Sequence, residues 1–114
     1  MKTTRIAIEN IARDYFAAFS KKDLNKLKQM FSVNINLRDW ETFAIGRDEV
    51  CQANQNIFDA VTTINVDPAN IFVDGLIVIG DLIITINGKE IIKVVDILEF
   101  DQDLKIISIK AYKG

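Results

Sequence analysis

The sequence contains no histidine and only one cysteine, Cys51. A lone cysteine cannot close an internal disulfide, and without histidine the usual zinc and iron ligand sets cannot be assembled. The same absence removes the Ser-His and Cys-His pairs that activate a nucleophile. A basic surplus is also missing: 14 Lys and Arg stand against 16 Asp and Glu, a net charge of −2. Neither a glycine-rich phosphate loop nor an arginine–aromatic patch is present, so nucleic acid is not an expected partner. No apolar run approaches the length of a membrane span. The amino terminus, MKTTRIAIENIARDY, is broken by Arg5, Glu9, Asn10 and Arg13, which denies it the apolar stretch of a signal peptide. The expectation is a soluble cytoplasmic protein, away from membranes, that needs no metal and no cofactor.

What is present is an ordinary globular balance, 49% hydrophobic and 26% charged, in 114 residues with a single proline, Pro68. That length suits one domain over residues 1–114, large enough to bury a core without staples. From about Thr4, Ile8, Ile11, Ala12, Tyr15, Phe16 and Phe19 recur at helical spacing. Ser20 followed by Asp23 reads as a capping box opening a second helix, which carries Leu24, Leu27, Met30 and Phe31 on one face. A short strand follows, with Ile35, Leu37 and Asp39 pointing one way and Asn34, Asn36 and Arg38 the other. Gly46, with Asp48 and Glu49 in a first turn, opens a third helix whose buried stripe is Val50, Asn54, Ile57, Phe58 and Val61.

The second half reads as a meander of strands, roughly 62–73, 76–86, 89–100 and 105–112, with hairpin dipeptides at Asp74-Gly75 and Asn87-Gly88. Helices early and strands consecutive predict an α+β fold in the order helix, helix, strand, helix, four strands. A two-residue turn at Asn87-Gly88 would pair Ile86 with Lys89 and Asp81 with Val94. One face would then carry Ile77, Ile79, Asp81, Ile83, Ile92, Val94, Asp96, Leu98 and Phe100, and the other Val78, Leu82, Ile84, Ile86, Ile91, Val95 and Ile97. Both faces are mostly apolar, so the outer one needs a cover. No helix remains to supply it, and the expected cover is a second copy of the chain, a homodimer packed sheet against sheet.

Polar residues on apolar faces carry the functional signal. Tyr15 lies on the inner stripe of the first helix, Asp39 follows Ile35 and Leu37, Asp96 lies between Val94 and Leu98, and Asn54 interrupts the third helix's stripe. A carboxylate among aliphatic side chains is costly unless it is paired or protonated, and no inward Lys or Arg is evident to pair these. Each has a plainer reading as well. Tyr15 can be a core tyrosine bonded to backbone, Asp39 a loop cap, Asp96 the holder of a structural hydrogen bond, and Asn54 a satisfied core amide.

The stretch from Tyr15 to Asp39 resembles steroid delta-isomerase (ketosteroid isomerase): a helix tyrosine, a second helix ending in Met30-Phe31, then a strand finishing in Asp39. The segment VVDILEFDQDLKIISIKAY at 94–112 resembles the last two strands of the same family, with its inward aspartate at Asp96, and Gly46-Arg47 matches the step that opens the third helix in SnoaL-like proteins. The chain is thus similar to the SnoaL-like, nuclear-transport-factor-two-like superfamily. That resemblance implies a cone-shaped, curved mixed sheet wrapped around the N-terminal helices to enclose one apolar pocket.

It also implies roles: Asp39 as an ionised general base, with Tyr15 and a protonated Asp96 bonded to the oxygen of an enolised ketone. Trp40, Asn54, Phe31, Phe58 and Leu98 are the expected pocket residues around them. Phe31 and Asn54 stand where the isomerases can carry supporting tyrosines, and Trp40 where they have proline. Relatives that act on epoxides place an arginine between two aspartates, and Arg5, Arg13, Arg38 and Arg47 offer no inward candidate. Three classes of function remain open: an isomerase enolising a ketone, a non-catalytic module binding a small apolar ligand, and a dimeric domain with a vestigial pocket.

Overall fold

One buried stripe on each helix and one buried face of the sheet give this chain its architecture. The computed structural model describes residues 2–114, with side chains from Thr4 onward; Met1 lies outside it. Helix α1 spans Lys2–Ser20, α2 Leu24–Met30 and α3 Arg47–Ala60. The strands are β1 Phe31–Arg38, β2 Phe43–Ile45, β3 Ile64–Asp74, β4 Ile77–Ile86, β5 Glu90–Phe100 and β6 Ile106–Lys113. They form one six-stranded sheet in the order β2-β1-β6-β5-β4-β3. It is mixed, because β1 and β6 run parallel while every other neighbouring pair is antiparallel. Register shifts in β3 near Pro68 and in β5 at Glu99/Phe100 curve it, as bulges do. The helices lie on the concave face, where Ile8, Ala12, Phe16, Leu27, Val50, Val78, Leu98 and Ile106 are fully or almost fully buried. The α+β class and the curved mixed sheet agree with the expectation from sequence. Strand β2 was not expected.

Two local details replace the sequence reading. Asp23, not Ser20, caps α2, accepting from Lys26 N at 3.2 Å. Ser20 is used elsewhere: its Oγ donates to Phe16 O at 3.1 Å and accepts from Val66 N at 2.8 Å, tying the end of α1 to β3. Beside it Lys22, in the left-handed region at φ 54°, sends Nζ to the carbonyls of Phe58, Val61 and Thr62 at 2.9, 2.6 and 3.1 Å. Those carbonyls lie in the last turn of α3, at its C-cap Val61 and one residue beyond, and a cation is favourable at a helix C-terminus.

The larger correction concerns β4. The hairpin closes on three residues rather than two, so Ile86 faces Glu90 and Asp81 faces Val95. Asn87 and Gly88 are both left-handed as the dipeptide requires, but Asn87 also accepts through Oδ1 from Thr62 N and Thr63 N and donates its own N–H to Thr63 O. This stitching holds the turn one residue longer. A one-residue change moves every side chain of the strand to the other face. Val78, Gly80, Leu82, Ile84 and Ile86 therefore face inward with Ile92, Val94, Asp96 and Leu98, while Ile77, Ile79, Asp81 and Ile83 face outward. Asp81 is exposed and accepts from Asn70 Nδ2 at 3.0 Å.

Gly80 has a packing reason to be inward. A Cβ there would lie 2.8 Å from Cζ of Phe16, a ring buried in the core. Gly80→Ala is expected to cost about 1–3 kcal/mol by overpacking. It would appear as a lower urea midpoint with an unchanged slope. An unchanged midpoint would mean that the Phe16 ring yields freely.

Candidate functional site

Between α1, α3 and the concave face lies a cavity of about 300 Å³. Its walls are aliphatic where β3, β4 and β5 contribute Ile64, Val66, Leu82, Ile84, Ile86, Ile92 and Val94. The exposed residues Trp40, Glu41, Glu90 and Lys113 mark its rim. Tyr15, Asp39, Asp96, Trp40 and Asn54, all singled out from the sequence, line this one cavity. Phe31, Phe58 and Leu98 do not. They are buried in the core behind the wall, where Phe31 packs 6.3 Å from the Tyr15 ring and Phe58 packs 4.9 Å from Phe19.

Tyr15 is fixed by aromatic neighbours, with ring centroids 5.4 Å from Phe16 and 6.1 Å from Phe19. Burial, and secondarily the charge of Asp96, hold its hydroxyl well above the usual tyrosine pKa. It is a proton donor at any physiological pH. Asp96 points inward from the middle of β5, opposite Gly80 on one side and Ala111 on the other. The residue is only 9% exposed, and burial first, then the negative charge of Asp39, push its pKa up to about 7. A carboxylic acid that keeps its proton near neutrality can donate a hydrogen bond.

Asp39 stands just past the end of β1, half-buried. Its Oδ1 accepts from Glu41 N at 2.7 Å and Thr42 N at 2.6 Å, and its own N–H donates to Thr42 O. The loop-cap reading and the cavity reading therefore both hold for this residue. Oδ1 fixes the loop, which leaves Oδ2 outside those bonds. Trp40, on the same loop, is 45% exposed, with Lys113 Nζ 5.9 Å from its ring centroid. Asn54 is 3% exposed and its Nδ2 has no hydrogen-bond partner among the described residues. Leaving a buried donor unmade costs about 1–3 kcal/mol.

Among the described residues no arginine lines the cavity; Arg38 instead lies 4.2 Å from the Phe43 ring centroid. Among the described residues no three His, Cys, Asp or Glu side chains gather into a metal site. Leu82, Ile84 and Ile86 are wall residues that the expected hairpin register had turned outward. Glu90 and Lys113 reach the rim from strand ends, with no pattern in the sequence to announce them.

A sequence profile of the SnoaL-like domain matches residues 12–109. The chain belongs to the SnoaL-like family. No curated protein matches it in sequence. Among solved structures this SnoaL-like protein is similar to one from Agrobacterium tumefaciens, assigned as an isomerase of the same family. The two are 13% identical, with 98% of each chain covered and a TM-score of 0.81. It is similar to a protein from Kribbella flavida assigned as a ketosteroid isomerase, at 16% identity, 94% of this chain, 77% of that one and a TM-score of 0.81. An epoxide hydrolase from M. tuberculosis aligns at 14% identity, 97% of this chain, 85% of that one and a TM-score of 0.83. At such identities the likeness establishes a shared fold, and one fold hosts several chemistries.

Proposed function

We propose that this SnoaL-like protein takes a small, uncharged ketone into the cavity and enolises it by proton transfer. The observation that carries the reading is Asp96: a buried carboxyl that lines the same cavity as Tyr15 and Asp39, with its pKa pushed up to about 7 by that burial and by the charge of Asp39. In a β,γ-unsaturated ketone, Asp39 takes the proton from the carbon between the carbonyl and the alkene. The electrons of that carbon–hydrogen bond pass to the carbonyl oxygen, forming a dienolate. Tyr15 and protonated Asp96 hydrogen-bond that oxygen. Asp39 then returns the proton to the γ carbon, which leaves a conjugated enone. An oxyanion donor in such a site contributes about 3–4 kcal/mol, and a placed base about a hundred- to ten-thousand-fold in rate. The absence of arginine from the cavity wall weighs against an epoxide-opening site of the Asp-Arg-Asp kind. With Glu41 and Glu90 at the rim against Lys113, an anionic guest is disfavoured.

A second reading, a binding module without turnover, draws on the use of Asp39 Oδ1 as a loop cap. Trp40 is the only tryptophan, so its fluorescence reports occupancy of the rim directly. The test is to add a β,γ-unsaturated ketone while following enone absorbance and Trp40 emission. Rising absorbance supports the isomerase. Quenching alone supports the binding module. Neither signal would remove both readings and leave a cavity without use.

The same proposal covers assembly. The outer face of the sheet exposes Phe72, Ile79, Val95 and Tyr112, with Phe72 opposite Ile79 and Tyr112 opposite Val95 in the register. A second copy of the chain packed on this face would bury them. Sedimentation equilibrium should give a dimer that Val95→Glu dissociates; a monomeric wild type would refute it.

A further inference from the structure

Helix α1 meets the sheet where the sheet has no side chain. Phe16, 2% exposed, rests on Gly80 of β4 so closely that a Cβ there would stand 2.8 Å from its Cζ and 3.3 Å from its Cε2. Ordinary carbon contact begins at roughly 3.5 Å. Leu82 Cδ2 would stand 3.1 Å from the same Cβ, so the strand offers an added methyl no room to the side. Gly80 is the residue directly opposite Asp96 in the β4–β5 ladder, and both face inward. The Phe16 ring in turn meets the Tyr15 ring edge-on, with centroids 5.4 Å apart. Tyr15, Phe16 and Asp96 all line the cavity, and the charge of Asp96 is felt at the Tyr15 hydroxyl. A close-packed interior transmits strain, so a methyl at position 80 would push back Phe16 and the turn of α1 that carries Tyr15. We infer that Gly80 is a positioning residue: lacking a side chain, it lets α1 settle on the sheet beside Asp96 and so sets the depth at which the Tyr15 hydroxyl and the Asp96 carboxyl reach one oxygen of the guest.

This rests on the enolising reading, and the test separates the two claims. Isomerisation of a β,γ-unsaturated ketone is measured for the wild type, Gly80→Ala, Tyr15→Phe and the double variant, at a temperature where all four are folded. Gly80→Ala is expected to lower kcat by about ten- to a hundredfold, since a misplacement of about 1 Å can cost a hundredfold. KM should stay within about twofold, because the bonds to the oxygen count most in the transition state. In the Tyr15→Phe background the same substitution should change kcat by less than about twofold, there being no hydroxyl left to misplace. A glycine needed only for packing would instead lower kcat by the same factor in both backgrounds. Should Gly80→Ala fail to fold, Phe16→Leu withdraws the ring from the other side of the contact. In the same cycle it should lower kcat only while the Tyr15 hydroxyl is present. Equal factors in the two backgrounds, an unchanged kcat or a rise in KM alone overturns the role of Gly80 and leaves enolisation standing. A wild type without turnover overturns the enolising reading, and this inference with it.

Discussion

Asp39→Asn is expected to slow ketone isomerisation by about a hundred- to ten-thousand-fold while leaving thermal stability close to that of the wild type. The choice of asparagine is what makes the experiment decisive. Asp39 performs two tasks with two oxygens: Oδ1 receives the N–H groups of Glu41 and Thr42, and the half-buried carboxylate is the proposed base, whereas Glu41 and Glu90 stand exposed at the rim. An asparagine oxygen can still accept both loop hydrogen bonds, since Asn and Asp cap turns in the same way. The amide cannot take a proton from carbon. If Asp39 were only a loop cap, Asp39→Asn would leave turnover nearly intact, and Asp39→Ala would damage the fold instead. Full activity in Asp39→Asn would end the assignment of the base.

Stability should fall as pH rises from about 4 to about 7, by an amount that Asp96→Asn removes. The sign follows from linkage. Burial raises the folded-state pKa of Asp96 to about 7, above its ordinary value of 3.8, so across that window the native state holds a proton that the unfolded chain has released. Stability is present in full below the lower value and is lost progressively up to the higher one. The loss is on the order of 4 kcal/mol at most. Other carboxylates shift with pH as well, so the quantity to measure is the difference between wild type and Asp96→Asn in urea unfolding at several pH values. Above pH 7 the variant should be the more stable of the two, and near pH 4 the difference should be small. A difference that does not change with pH would mean that Asp96 ionises normally and cannot donate to an oxyanion at neutrality. Catalysis should decline only as pH passes about 7, where the donor proton leaves Asp96 in the folded protein.

Much of this site was readable in the sequence because polar residues on an apolar stripe are conspicuous. Tyr15, Asp39, Asn54 and Asp96 each break a periodic pattern, and all four line one cavity. The β5 half of the inner face was legible for the same reason. The β4 half was not. Ile77, Ile79 and Ile83 alternate with Val78, Leu82 and Ile84, so hydrophobicity cannot choose between the two faces. Only the turn decides, and the length of that turn depends on bonds from Asn87 to Thr62 and Thr63, about 25 residues away in sequence. Strand β2, three residues long, is too short for alternation to register. Phe31, Phe58 and Leu98 were expected on the wall because sequence reports that a residue is buried, not whether it faces a cavity or stands behind it. Ser20 and Asp23 are both good caps, and the competing demand of Val66 N for the Ser20 hydroxyl is a tertiary fact.

A crystal structure with bound 2-naphthol, whose oxygen stands in for the enolate oxygen of a ketone, tests the central claim most directly. The expected result is the naphthol ring among Leu82, Ile84 and Val94, with its oxygen at hydrogen-bond distance, 3 Å or so, from both Tyr15 Oη and the Asp96 carboxyl. Naphthol seated elsewhere, or in the cavity with its oxygen turned away from both groups, would contradict the account.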